Sequence, residues 1–224
     1  EILDAGVNVG MVQIGNEVNN GMSGETQTPA VMKLLDAGSR AVREIAEKYE
    51  KEIQVALHYT NIEETDKINS IAADLQNYNI DYDIFALSYY PFWDGTNENM
   101  QTVAKNIQDK YGKQVVIAET SYCYTSEDGD GSGNSFDGVE DLVEGYAATV
   151  QSQASMIRDI CAAANSAGVL GIFYWEGTWI PVGPADKDNS PLWEEFGSGW
   201  ASSYASDYDP EDAGLYYGGC SWDN

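Results

Sequence analysis

Three short apolar runs in this chain stop abruptly at a glutamate: Met11-Val12-Gln13-Ile14-Gly15-Asn16-Glu17, Val116-Ile117-Ala118-Glu119 and Gly171-Ile172-Phe173-Tyr174-Trp175-Glu176. A buried strand that ends in a carboxylate is a poor core element, because a desolvated charge costs several kcal/mol unless it is paired. It is a sensible way to aim acids into a cleft at one rim of a parallel sheet. A lone strand-terminal Glu is ordinarily a solvated residue. Three of them, one preceded by Asn16 and one by Trp175, ask for a shared purpose.

Between these runs, β-branched and aromatic stretches alternate with stretches of helical period, the pattern of consecutive βα units. Strands are expected at 11–17, 53–58, 84–90, 115–119 and 171–176. Helices are expected from Pro29 to about Tyr49, from a Thr65 cap with the stripe Ile68, Ile71, Ala72 and Leu75, from Asn97 to Tyr111, and from about Val143 to Ala167. The apolar stripe of the first helix reads Val31, Leu34, Leu35, Gly38, Val42, Ile45 and Ala46. Right-handed crossovers then bring the strand C-termini to one rim. Five such strands suit an open doubly wound sheet or part of an eight-stranded barrel. The loops after strands are long and the returns from helices short, which favours a (β/α)8 TIM barrel with its site on the C-terminal face. Neither GxGxxG nor GxxxxGK[ST] occurs, so a nucleotide-binding sheet lacks its usual signature.

Charge narrows the partners. Thirty-seven acidic against 11 basic residues leave a net charge of −26. Such a surface repels phosphate backbones and anionic lipid, so no nucleic acid and no membrane is expected as a partner. It disfavours polyanionic substrates too, and neutral substrates and cations fit best. The three cysteines, Cys123, Cys161 and Cys220, show no C-x-x-C spacing, so they offer no metal cluster, and their odd number leaves at least one thiol without a partner in the chain.

Acetal hydrolysis without a metal needs one carboxylic acid to protonate the leaving oxygen and a second carboxylate to attack the anomeric carbon or activate water. Glu17 and Glu119, on different strand ends, provide that pair, and different surroundings can push their pKa values apart. Asn16 offers an amide for a substrate hydroxyl, and Tyr89 or Tyr90 lies where either could hydrogen-bond Glu119. Neutral β-linked polysaccharides are held by aromatic rings stacked on sugar faces. Trp93, Trp175 and Trp179 follow strand ends and are placed for that task.

Longer words extend the pattern. Val12-Gln13-Ile14-Gly15-Asn16-Glu17-Val18-Asn19-Asn20-Gly21, Leu87-Ser88-Tyr89-Tyr90-Pro91-Phe92-Trp93, Ala118-Glu119-Thr120, Phe173-Tyr174-Trp175-Glu176, Trp179-Ile180-Pro181-Val182-Gly183 and Gly199-Trp200-Ala201-Ser202-Ser203-Tyr204 together resemble glycoside hydrolase family 53, the arabinogalactan endo-β-1,4-galactanases of clan A. The resemblance runs along nearly the whole chain. It implies that Glu17 is the general acid/base, Glu119 the nucleophile, and Asn16 the asparagine that grips the sugar 2-hydroxyl. It also implies that His58, Tyr89 or Tyr90, and Trp175 line the cleft. A retaining reaction would hold the two carboxyl groups about 5–5.5 Å apart. The implied substrate is a neutral plant cell-wall polysaccharide, β-1,4-galactan, and the implied setting is secreted. If Glu17 closes strand four, residues 1–224 form a single catalytic domain that is a partial barrel, holding strands four to eight and lacking the first three βα units and the last helix. Such a piece alone is expected to be inactive.

Asp128-Gly129-Asp130-Gly131-Ser132-Gly133-Asn134 places oxygen side chains at alternate positions with glycines between. Calcium wants six to eight oxygens from a tightly folded loop, and the spacing is that of the first half of an EF-hand. Val139 stands where the bidentate Glu would be, so remote ligands must complete the shell. Bacterial members of the resembled family implicate Asp223, giving Asp128, Asp130, Ser132, Asn134 and Asp223 as structural Ca2+ ligands. Two competing readings remain at this level. One is another clan A β-glycanase, a mannanase or cellulase; the other is a non-catalytic carbohydrate-binding protein, which would have no use for two strand-terminal glutamates.

Overall fold

The computed structural model describes residues 1–127, 139–175 and 177, together with residues 187, 191 and 195. Five strands form one sheet in the order β1-β2-β3-β4-β5: β1 Met11–Ile14, β2 Gln54–Tyr59, β3 Ile84–Ser88, β4 Gln114–Thr120 and β5 Ile172–Tyr174. The pairs β1–β2, β2–β3 and β3–β4 are all parallel. Helices α1 Thr28–Lys48, α2 Thr65–Asn77, α3 Asn97–Tyr111 and α4 Val150–Ser166 alternate with them. This is the βα succession expected from the sequence, with strands laid side by side in chain order.

Strands β2, β3 and β4 are buried on both faces, which is why they read as nearly continuous apolar runs. Ile84–Ser88 is buried throughout, and β2 from Val55 to Tyr59 likewise. One face carries Ala56, Ile84, Ala86 and Val116, packed with Met11 and Ala118. Phe85, on the other face, lies over Tyr59 with ring centroids 4.7 Å apart and is fully buried. Helix α1 comes unusually close to β1: a Cβ on Gly38 would meet Ile14 Cγ2 at 2.7 Å, so only glycine fits there. Arg43, also on α1, bridges two aspartates just before β3, with Nε 2.7 Å from Asp81 Oδ2 and Nη1 2.9 Å from Asp83 Oδ2.

Element ends moved where caps and turns outweigh period. Thr65 is the first residue of α2, not its cap, and Glu64 takes the cap position. The apolar stripe of α1 is rotated toward Met32 and Ser39, leaving Ile45 41% exposed. Helix α3 keeps its expected limits because both ends are chemically marked. The Thr96 hydroxyl accepts from Asn99 N, and Gly112 adopts φ 65° at the C-cap. Helix α4 begins seven residues later than its periodicity suggests. Gly145 sits at φ 89° ahead of it, and the Thr149 hydroxyl accepts from Ser152 N at 3.1 Å as it opens.

The chain divides into two compact units, Glu1–Thr120 with Asp159–Phe173, and Ser121–Arg158 with Tyr174–Asn224. The first carries β1 to β4, the C-terminal half of α4 and Ile172 and Phe173 of β5. In the second, Tyr122 is the hub. Its hydroxyl donates to Tyr146 O at 2.8 Å and accepts from Val143 N at 3.1 Å, and its carbonyl accepts from Gln153 Nε2 at 2.7 Å. No helix among the described residues is long and apolar enough to cross a membrane.

Candidate active site

Strand β1 ends at Ile14, three residues before the first candidate acid, so Glu17 lies in a turn beyond the strand and is not its last residue. Gly15 turns the chain at φ 75°, where a Cβ would also meet Val18 Cγ1 at 2.6 Å. Glu17 follows in the left-handed region at φ 47°, ψ 51°. For a residue with a side chain that geometry costs about 1–3 kcal/mol and persists only where the surroundings over-determine it. The loop is held down by Asn19, which accepts from Thr60 N at 2.8 Å and donates to Thr60 O at 2.7 Å at the end of β2.

Glu119 arrives on the same face by a different device. Residues pair Ala86 with Val116 and Leu87 with Ile117, but Ser88 pairs with Glu119. Ala118 is therefore the extra residue of a β-bulge, and it shifts the alternation by one. Without the bulge, Glu119 would point to the face occupied by Ile117. With it, Glu119 joins His58 and Ser88.

The polar groups on this face form two hydrogen-bonded sets, which approach each other where His58 Nδ1 lies 3.9 Å from Glu119 Oε1. Ser88 Oγ donates to Glu17 Oε1 at 2.6 Å, and His58 Nε2 lies 2.9 Å from Ser88 Oγ. His58 Nδ1 lies 3.1 Å from Gln13 Nε2 and 3.0 Å from Asn16 Oδ1. Tyr90 donates its hydroxyl to Glu119 Oε2 at 3.0 Å, which settles the choice between the two tyrosines. One carboxylate oxygen of Glu17, one of Glu119 and a ring nitrogen of His58 all lie within 4.8 Å of one another.

Burial sets the electrostatics. It pulls the His58 imidazole down to about 4, so the ring is neutral at ordinary pH, although the Glu17 charge opposes that shift. Burial also raises the Glu119 carboxyl above its ordinary range; the Tyr90 hydrogen bond works against this, and Glu17 adds to it. Two carboxylates and an imidazole at this spacing are a donor set that a divalent cation accepts. Both ring nitrogens of His58 are engaged by protein groups, however, so ligation would have to break that network.

Several expected sugar contacts have other places. His58 is fully buried and faces Gln13, Asn16 and Ser88, so it acts on the acids' surroundings and offers no surface to a substrate. Tyr89 is likewise buried, with its hydroxyl 3.1 Å from both Gly95 O and Asn97 Oδ1, where it braces the β3–α3 loop. Trp93 is 52% exposed and packs edge-on against Phe92 and Tyr90, at centroid distances of 4.7 and 5.7 Å. Trp175 is partly buried and belongs to the second unit. Trp179, Glu176, Asp128, Asp130, Ser132, Asn134 and Asp223 lie outside the described residues. Gln13 and Ser88 escaped the sequence reading. Their signal was present as single polar residues inside otherwise apolar strands, at positions whose parity matches His58.

The family model for glycosyl hydrolase family 53 matches residues 1–224. The chain belongs to that family. Among relatives of this family-53 chain, the endo-beta-1,4-galactanase of Bacillus subtilis (strain 168) is 49% identical over 228 residues, covering all of this chain and 52% of that protein. The arabinogalactan endo-beta-1,4-galactanase of Cellvibrio japonicus (strain Ueda107) is 31% identical over 179 residues, covering 76% of this chain and 47% of that protein. The solved GH53 catalytic domain of Ignisphaera aggregans superposes with a TM-score of 0.69 at 34% identity, over 78% of this chain and 49% of that one. Two fungal β-1,4-galactanases, described together, share the fold at a TM-score of 0.65 and 22% identity. The fold is thus the (β/α)8 TIM barrel of the family, with five of its parallel strands in this chain. The chain spans about half the length of the curated relatives it matches.

Proposed function

We propose that this family-53 chain contributes both reacting carboxylates to a retaining endo-β-1,4-galactanase. The observation that carries this is the meeting of Glu17 and Glu119 oxygens within 4.8 Å on one sheet face. Inverting glycosidases hold their carboxyls about 6.5–9.5 Å apart to admit a water; retaining ones bring them to about 5–5.5 Å. In the reaction, protonated Glu17 gives its proton to the glycosidic oxygen as the bond from that oxygen to the anomeric carbon breaks. Glu119 attacks the same carbon and forms a glycosyl-enzyme ester. Water then displaces Glu119 while Glu17, now a carboxylate, takes the water's proton. The Tyr90 hydroxyl keeps the nucleophile hydrogen-bonded without neutralising it, and the neutral His58 ring adds no positive charge beside it.

The choice of galactan rests on the names of the relatives, and the net charge of −26 suits an uncharged polymer. We read residues 1–224 as part of one catalytic barrel in a longer, secreted protein acting on plant cell walls, with no nucleic acid or membrane partner. The test is hydrolysis by the full-length protein. It is expected to cleave β-1,4-galactan in preference to mannan and cellulose, and NMR is expected to show the β-anomer released first. Initial release of the α-anomer would overturn the double displacement.

Structural calcium belongs to the same proposal. The alternating oxygens of Asp128, Asp130, Ser132 and Asn134, with Asp223 as a remote ligand, support one Ca2+. Calorimetric titration of the chelator-treated full-length protein is expected to show one saturable calcium site and a higher Tm on binding. A flat titration would remove it.

A further inference from the structure

A general acid at Glu17 must carry its proton on the oxygen that faces the leaving group. A carboxylic acid has two oxygens, and a proton on the one turned away from the sugar is useless to the leaving group. The buried groups around Glu17 supply a reason. Ser88 Oγ lies 2.6 Å from Glu17 Oε1, and Ser88 is itself fully buried at the end of β3. A hydroxyl has one proton to give. If Ser88 spends it on Oε1, its second contact, His58 Nε2 at 2.9 Å, must be a donor. His58 then carries its hydrogen on Nε2 and exposes a lone pair on Nδ1, and Gln13 Nε2 stands 3.1 Å from that nitrogen, able to donate. Asn16 Oδ1, 3.0 Å from the same nitrogen, and Gly15 O share the donors of that Gln13 amide, at 3.3 and 3.0 Å.

We infer that Ser88 is the positioning residue of the general acid: backed by the Nε2–H of His58, it occupies Glu17 Oε1 as a donor and so confines the catalytic proton to Oε2. The inference rests on the glycosidase reading and deepens it. Burial supports it, since a ring held neutral down to about pH 4 has one hydrogen and must choose a nitrogen. The left-handed backbone of Glu17 fits as well, because a strained residue stays put only where its side chain is tied. The same arrangement serves both half-reactions. Ser88 can donate to Oε1 whether Oε2 is protonated, for departure of the leaving group, or bare, for activation of water.

The experiment compares wild type, Ser88→Ala and Ser88→Thr in the full-length protein, on galactan and on a dinitrophenyl β-galactoside whose leaving group departs without a proton. Misplacing an acid costs about 10–10²-fold. Ser88→Ala is therefore expected to lower kcat/KM on galactan by about that factor. On the dinitrophenyl substrate, where kcat/KM reports only the step that needs no acid, it should change less than about threefold. Ser88→Thr, which keeps the hydroxyl, is expected to recover most of the galactan activity. Equal losses on both substrates would mean Ser88 merely supports the fold, and no loss on either would mean it does not place the acid; each outcome overturns the inference. Wild-type protein inert on both substrates would instead sink the glycosidase reading itself.

Discussion

Glu119→Ala is expected to lower kcat on galactan by roughly 10⁴–10⁶-fold in the full-length protein, the scale seen when a covalent nucleophile is removed. Sugar binding should survive, because the carboxylate replaced is one that bonds to the anomeric carbon only during reaction. Equilibrium binding of galacto-oligosaccharides, measured beside turnover, separates the two. Retained hydrolysis would show the nucleophile to be misassigned. The wild-type pH profile carries a linked expectation. Burial raises the Glu119 pKa, with Glu17 adding to the rise and Tyr90 opposing it. The nucleophile works ionised, so activity should be full above that raised pKa and fall as pH drops through it. The acid limb is thus expected at higher pH than an ordinary glutamate would place it.

Phe85→Ala is expected to destabilise the chain by about 3–5 kcal/mol, enough to erase much of the stability of a typical domain. Phe85 is fully buried in β3, stacked on Tyr59 at 4.7 Å and tilted against Tyr82 at 6.5 Å. Strands β2 and β4 flank β3 on either side, so a cavity there is surrounded by packed neighbours and can collapse only in part. Denaturant unfolding monitored by circular dichroism measures the loss. A change below about 1 kcal/mol would mean the site relaxes freely, which a close-packed parallel sheet does not allow.

These two residues mark different limits of sequence reading. Phe85 sits in Ile84-Phe85-Ala86-Leu87, an apolar run whose place in a buried parallel strand follows from hydrophobicity alone. Glu119 was legible as a strand-terminal acid, but its face was not. Counting alternation from Val116 sends Glu119 to the wrong side of the sheet, and a bulge at Ala118 brings it back. A one-residue slip inverts every side chain after it, and no local pattern in Val-Val-Ile-Ala-Glu-Thr announces one. Helix ends followed a similar rule. Those of α3, marked by Thr96 and Gly112, were readable, whereas α4 began late because Gly145 and Thr149 outweighed a periodic stripe.

The sequence by itself determined that this chain builds parallel βα units and that two glutamates about a hundred residues apart lie near strand C-termini, while its net charge of −26 favours a partner with little negative charge. Those properties follow from composition, period and turn chemistry, which act over a few residues. Tertiary structure alone decided which tyrosine holds Glu119, that His58 turns inward, and that Ser88 and Gln13 link the acids' surroundings. The reason is geometric: hydrogen bonds reach about 3 Å and depend on angle, so their partners are chosen by strand register, by the turn at Gly15 and by the bulge at Ala118, which exist only once the sheet has formed.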